Sequence, residues 1–416
     1  MDMKRQKLLE GHSDMDEGED RISKLPDSLV HHILCFLPTK SAICTSILSK
    51  KWRYKWISIP NLDFRVWRSA TSEDVYLETD RFMEFMDRVL LLRDMSKLKK
   101  FYLVCDGRCD RTRVNAWISD IVKCKVEELI VCSKSQVPYS PFLSPSSIFT
   151  CDSLVRLTIS MLCDLKLPTL IHFPRLKLLR LMHITFRDKN FSEEFISNCP
   201  VLDELSIEYC TWDAMEDFIM SAPNLKTLRI QAPKGVIRIN APNLTHFEYE
   251  GRIAKEYDVH GFSSLVNAEI DFCMYLEDKD DIETRREELG YAVIKLFERL
   301  SSVRFLKLSF ETHKALSLVD NLNARLPAFN NLRYLEVSYI CYSRYYKPLL
   351  CLLEISPKLK SVNFTHGFGG RLSENGIEVV LPPIVFSKLK KVTFGSFKGD
   401  KMELILAEFF LKNAKI

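Results

Sequence analysis

LKLLRL (176–181), LDELSI (202–207), LKTLRI (225–230) and LTHFEY (244–249) are one pattern written four times: apolar, two variable positions, apolar, variable, apolar. The pattern also occurs upstream as LKKFYL (98–103), VEELIV (126–131) and LVRLTI (154–159). Downstream it continues as LVNAEI (265–270), VRFLKL (303–308), LRYLEV (332–337), LKSVNF (359–364) and LKKVTF (389–394). Start-to-start distances run from 19 to 38 residues, with most between 21 and 30. The last three positions of each unit alternate, which predicts a short strand with one buried face. A unit this small cannot bury that face alone. Units must therefore stack, and stacked strands of the same sense make a parallel sheet whose connections return behind it. The predicted class is α/β, with the sheet on the concave face and helices and loops outside.

These spacings are similar to those of leucine-rich repeats, and the irregularities fit the same scheme. The longest interval holds EDKDDIETRREELGYAVIKLFERL (277–300), where Leu289, Val293, Leu296 and Leu300 predict an enlarged outer helix. Residues 133–149, rich in proline and serine, read as a loop. Several units follow a proline two residues before the leading apolar residue, as in CPVL, APNL and SPKL. Cys210 and Cys273 stand where such repeats place Asn or Cys. Phe82, Phe85, Val89 and Leu92 mark a helix ahead of the repeats, within a connecting segment at 66–95.

The N-terminal end is built differently. Residues 1–20 are polar and mixed in charge, which predicts a disordered tail. From Arg21 the chain turns apolar. Pro26 suits a first helical position, and Leu29, Ile33 and Leu37 then recur every four residues until Pro38. Thr39 is placed to cap a second short helix, and Ser49 a third that carries Trp52 and Trp56. Three short helices hold more apolar surface than so small a segment can hide, so they need a partner.

LPDSLVHHILCFLPTKSAICTSILSKKWRYKW (25–56) resembles the F-box of plant F-box proteins, over 21–65. That resemblance implies docking to the Skp-type adaptor of a cullin–RING ubiquitin ligase. Leu25, Pro26, Leu29, Ile33, Leu37 and Pro38 would face the adaptor, while Trp52 and Trp56 knit the module. RFMEFMDRVLLL (81–92) and WISDIVKCKVEELIV (117–131) are similar to the segment leading into plant leucine-rich repeats, here 96–365. FSKLKKVTFGSFKGDKMELILAEFFLKNAKI (386–416) resembles the FBD domain, assigned to 366–416; that domain usually runs further, so a shortened end is expected. The implied function is substrate recognition for a Skp–cullin–F-box ligase. The alternative is a scaffold that binds adaptor without promoting degradation.

Composition and motifs leave little room for chemistry in the chain itself. A net charge of +4 on 416 residues implies no polyelectrolyte attraction, so nucleic acid is not an expected partner. KKWRYKW (50–56) interleaves basic and aromatic residues, but at helical spacing these separate onto two faces. No signal sequence or membrane-length apolar run is seen. The 13 cysteines are expected to be reduced in a cytoplasmic and/or nuclear protein. HGFGGR (366–371) lacks phosphate-loop spacing, and Cys105 and Cys109 lack a second pair. No catalytic residue, metal or cofactor is expected, and the chain is read as a non-catalytic receptor.

A binding surface remains. The third, fifth and seventh positions of each unit should point away from the buried face. They supply Glu204, Glu208, Arg229, Glu248, Glu250, Glu269 and Asp271, six carboxylates and one arginine over four units. Arg156 and Arg180 precede them, so the face is expected to grade from basic to acidic. This is the candidate site for an unidentified protein target.

Overall fold

Proline decides where the first two helices begin, because its ring fixes φ and removes a donor that an advancing helix would need. In the computed structural model, Pro26 and Pro38 both stand at N-caps, ahead of α1 (Asp27–Cys35) and α2 (Thr39–Cys44). Pro26 thus lies one residue before the position expected of it. Thr39 is the first helical residue, and no cap. Its hydroxyl instead accepts from the Asp63 N–H at 2.7 Å and ties α2 to β1 (Asn61–Phe64). The third helix expected after Ser49 is a series of turns ending in a 3₁₀ segment, Lys55–Ser58. Trp52 and Trp56 are both buried there, and the Ser49 hydroxyl is buried without a partner.

The structure describes residues 22–65, 67, 75–105, 107–133, 146–165, 167–187, 191–213, 216–273, 285–338, 346–366, 384, 386–399 and 401–413. The tail at 1–20 and most of the glycine-rich turn lie outside them. Two units emerge, 1–104 and 105–416. The first also holds β2 (Lys100–Cys105), parallel to β1 with Leu62 opposite Phe101, and the helix α3 (Val75–Leu92). Phe82, Met86 and Val89 of α3 are buried, while Leu92, expected beside them, is exposed at the helix end. Buried Arg93 follows, and its guanidinium donates to the carbonyls of Trp56 and Ile59.

The second unit is the repeat. Behind α4 (Arg111–Lys123), capped by Asp110, the strands β3 (Glu128–Ser133), β4 (Arg156–Leu165), β5 (Leu178–Phe186) and β6 (Glu204–Glu208) lie side by side. The chain then alternates between two sheets. It runs through α5 (Phe191–Ser197), β7 (Phe218–Ser221), β8 (Thr227–Ala232), β9 (Val236–Asn240), β10 (His246–Gly251), β11 (Glu256–His260) and β12 (Asn267–Phe272). It continues with β13 (Phe305–Leu308), β14 (Tyr334–Val337), β15 (Ser361–Phe364) and β16 (Lys391–Phe394), and the helix Lys401–Asn413 follows the last strand. In the main sheet β6 is followed by β8, β10, β12 and then β13 to β16, all parallel.

Register aligns the repeats position for position. Leu129, Leu157, Leu179, Leu205 and Leu228 stand opposite one another in turn, and Phe247, Ala268, Leu306, Leu335 and Val362 continue the column. All of these are buried. In the two APNL units the asparagine joins its repeat to the one before: Asn224 donates to the Pro200 carbonyl and Asn243 to the Pro223 carbonyl, both at 2.8 Å.

The back of the solenoid departs from expectation in the middle. Helices and loops were anticipated, but β7, β9 and β11 form a second parallel sheet. The cause is length. The units starting at Leu202, Leu225 and Leu244 are only 19 to 23 residues long. A helix rises ~1.5 Å per residue and a strand ~3.3 Å, so a short return must be extended. Helix α5 lies beside β7, and the helix Arg286–Leu300 lies beside β11, covering both edges of this sheet. Leu289, Val293, Leu296 and Leu300 are its buried positions. Of the expected 133–149 loop, 134–145 lie outside the described residues. Ser146–Thr150 is a 3₁₀ turn that buries Ile148 and Phe149.

One buried polar group has no role in this packing. His313, in the short helix Phe310–Leu316, is fully buried, and neither ring nitrogen has a hydrogen-bond partner. Burial pushes it down to about 4. An unfolded histidine takes its proton near pH ~6.5, so the unfolded state binds more protons between these values. The contribution of the neutral ring is complete above pH ~6.5 and is lost as the pH falls toward 4, a difference of about 3 kcal/mol. The denaturation midpoint of the wild type is expected to drop more steeply from pH 6.5 to 4.5 than that of His313→Leu. Parallel profiles would remove the histidine from the account.

Candidate interaction surfaces

Helix α1 has two apolar faces and the first unit buries only one. Val30 and Leu34 pack inward with Trp52 and Trp56. On the other side Leu29 is 49% exposed, Ile33 40% and Phe36 75%, a stripe at i, i+4 and i+7. Ile47, 88% exposed, and Leu48 add to the uncovered apolar surface of this unit. Of the other residues assigned to the adaptor, Pro26 is exposed, and Leu25, Leu37 and Pro38 are half-buried. Leu37 continues the spacing of Val30 and Leu34. Phe36 and Ile47 were not singled out from sequence, because an all-round apolar helix does not reveal which side faces out.

Polar contacts hold this face in shape from behind. The Lys51 ammonium donates to the carbonyls of Ser23 and Leu25, and Lys55 pairs with Asp27 at 2.6 Å. That pairing, with Lys55 first among its causes, lowers the Asp27 pKa. His31 and Ser58 are 3.3 Å apart, and Asn61 donates to the Cys35 carbonyl. Asp27, Ser28, His31, Lys51, Tyr54, Lys55 and Ser58 line an open cavity of about 530 Å³.

The repeat unit presents the second surface. Register brings Arg180, Ser206, Arg229, Glu248, Glu269, Lys307 and Glu336 into one row across β5 to β14. This row is largely self-neutralised. Glu204, one step away, receives Arg180 at 2.7 Å and Arg229 at 2.8 Å. Arg229 also reaches Glu248 at 3.2 Å, and Lys307 reaches Glu269 at 2.9 Å. Ser206, placed on the open face by its position, has no exposed surface between the two arginines that flank it in register.

The expected patch of six carboxylates is therefore divided: Glu204, Glu248 and Glu269 meet basic partners in and beside the first row, whereas Glu208, Glu250 and Asp271 form a second, acidic row. In the second row Glu250 stands opposite Gln231 on one side and Asp271 on the other. Neither Glu250 nor Asp271 has an ion-pair partner among the described residues. Burial, then Asp271, Glu208 and Glu248, push the Glu250 carboxyl up. Burial and Glu269 raise Glu248 as well. Burial would also raise Glu204, yet Arg180 and Arg229 outweigh it and hold that carboxyl below its ordinary value. The Ser206 hydroxyl donates to Glu208.

Three of the cysteines are held by packing. Burial pushes the thiols of Cys163, Cys199 and Cys210 up to about 12, so they stay protonated at neutral pH. Cys210 caps its strand by pairing with the carbonyls of Leu181 and Glu208. Among the described residues no group of three or more His, Cys, Asp or Glu side chains is placed to hold a metal ion. No described helix is long and apolar enough to cross a membrane.

Comparison with known proteins finds matches in both parts of the chain. Residues 22–63 match the F-box domain, and residues 114–263 match the family described as FBD-associated F-box protein At5g56370, LRR repeats. F-box/LRR-repeat protein At3g59210 of Arabidopsis thaliana is 34% identical over 77% of this chain and 68% of its own length. The putative F-box/FBD/LRR-repeat protein At3g59240 from the same plant is 34% identical over 77% of this chain and 64% of its own. The putative F-box/LRR-repeat protein At3g59170 is 30% identical over 93% and 88%. The chain thus spans about two thirds of the length of the first two relatives.

The two charge rows respond oppositely to neutralisation. Glu204→Gln removes the acceptor shared by two arginines and is expected to lower the melting temperature. Glu250→Gln relieves repulsion that nothing offsets and is expected to raise it. Each change is worth about 0.5–1 kcal/mol at such partly exposed sites. Differential scanning calorimetry of the two variants checks the signs, and equal shifts would refute the division into rows.

Proposed function

Because this chain belongs to the plant F-box/leucine-rich-repeat family, we propose that it is the substrate-recognition subunit of a Skp–cullin–F-box ubiquitin ligase. The observation that carries the reading is the uncovered stripe Leu29, Ile33 and Phe36 on a module whose inner face is already filled. Water-exposed apolar rows of this kind cost solubility unless a partner covers them. In the proposed complex the Skp-type adaptor covers that stripe together with Leu25, Pro26, Leu37 and Pro38. The repeats hold a protein target on the polar face of the sheet. Chemistry belongs to the ubiquitin-carrying partner, and this chain supplies proximity. The acidic row Glu208, Glu250 and Asp271 favours a target segment bearing Lys or Arg, since opposite charges there would find unpaired partners.

Two substitutions test the halves separately. Leu29→Ala with Ile33→Ala removes two apolar anchors, each worth roughly 2 kcal/mol in a well-packed interface. Co-purification with adaptor is expected to fall by more than tenfold while the melting temperature of the repeats stays the same. Glu250→Lys with Asp271→Lys is expected to abolish target accumulation under proteasome inhibition and to leave adaptor binding intact. Adaptor binding that survives the first double variant would overturn the docking assignment.

A further inference from the structure

The last four repeats carry a second charged surface, opposite in sign to the middle of the sheet. The residue just before each strand joins the preceding unit through its backbone. Arg333 N–H donates to the Arg304 carbonyl at 2.9 Å, Lys360 to Arg333 at 2.8 Å and Lys390 to Lys360 at 2.8 Å. Four equivalent positions of four successive repeats are thus basic and lie in one line. In earlier repeats the same position holds Glu127, Val155, Lys177, Asp203, Lys226, Thr245 and Val266, and Lys226 pairs with Asp203 at 2.8 Å. Only in the last four is the sign constant.

Nothing in the described structure neutralises this line. Arg304, Arg333 and Lys390 are exposed and Lys360 is half-buried, and none of the four has an ion-pair partner among the described residues. Lys358 and Lys388 add to it from two residues upstream of Lys360 and Lys390. Within residues 301–310, 329–338, 355–366 and 386–396 the sole carboxylate is Glu336, which already faces Lys307 at 3.9 Å. Tyr334, next to Arg333, is 49% exposed and offers a ring beside the cations.

We propose that the line Arg304, Arg333, Lys360 and Lys390 is a docking site for an acidic, extended peptide segment of a protein partner. Neighbouring strands lie ~4.8 Å apart, so four successive positions span about 14 Å. An extended peptide advances ~3.4 Å per residue, and carboxylates on alternate residues are therefore ~6.8 Å apart. Three of them cover the same ~14 Å, the outer two at the ends of the row and the middle one between Arg333 and Lys360. A nucleic-acid strand is the less favoured occupant. The whole chain carries only +4, and among the described residues next to the row only the ring of Tyr334 is well exposed for base stacking. The site deepens the receptor reading and rests on it for its biological meaning. The target would then meet an acidic subsite on β10 and β12 and a basic one at the entry to β13–β16, which selects a segment of mixed and ordered charge.

The test uses the full chain bound to its adaptor and three fluorescent probes. These are a twelve-residue peptide alternating Glu and Ser, the same peptide with Gln for Glu, and a single-stranded oligonucleotide of twelve bases. The acidic peptide is expected to bind, at least tenfold more tightly than the Gln peptide, and to weaken as salt rises from 50 to 200 mM. Arg333→Glu with Lys360→Glu is expected to reduce its affinity tenfold or more. Arg333→Gln with Lys360→Gln is expected to give a smaller loss, and Lys123→Gln, on the exposed end of α4, none. Equal binding of the two peptides, an unchanged affinity in the charge-reversed variant, or tighter binding of the oligonucleotide would each overturn the proposal. Adaptor co-purification is read in the same preparations, so loss of the docking module is seen separately from loss of this site.

Discussion

Every functional surface of the second unit depends on one constraint: the backbone of each repeat is hydrogen-bonded, position for position, to the repeat before it. The ladder runs from Val155, which donates to Glu127, through Lys177, Asp203, Lys226, Thr245, Val266, Arg304, Arg333 and Lys360 to Lys390. Because the repeat positions pair in register, the one shift in β4–β5 falling beyond them after Ser160, a residue type repeated at one position becomes a line on the surface. Leucine repeated at the fourth position becomes the buried column, and charge repeated elsewhere becomes a stripe. A one-residue slip would exchange the two, placing glutamates in the core and leucines in water. The buried column therefore fixes where the charges lie.

Much of this was legible in the chain. The spacing of leucines fixed the parallel sheet, and helical spacing located the helices around Val89 and Val293. Other features were hidden for physical reasons. A strand and a helix are equally able to close a repeat, and only the shortness of the units at Leu202, Leu225 and Leu244 decides for the strands β7, β9 and β11. That signal was present in the intervals but unread. The neutralisation of the central row was also readable. The fifth-position rule that selects Glu248 and Glu269 also selects Lys307 in the next unit, opposite Glu269.

The first unit shows a limit of another kind. Periodicity identifies an apolar helix, yet Val30 and Leu29 are adjacent in sequence and one is buried while the other is exposed. Which side turns inward depends on the tryptophans that meet Val30 and Leu34, and Ser49–Ser58 folds as turns that no capping rule anticipates. Phe36 and Ile47, left outside, emerge only once that choice is made.

The last strand has a consequence of a mechanical kind. Val392 and Phe394 in β16 are half-buried, whereas their register partners Val362 and Phe364 are fully covered. In a stack where each layer touches only its neighbours, stability adds layer by layer. Tension applied beyond β16 would first lift the helix Lys401–Asn413, whose Phe410 ring lies against Phe364 of β15, and then release one strand at a time toward β13. The climb would halt at the layers from β12 to β8, where two sheets must part together. Under load the molecule would open like a zipper with a locked middle, in steps the length of a single repeat.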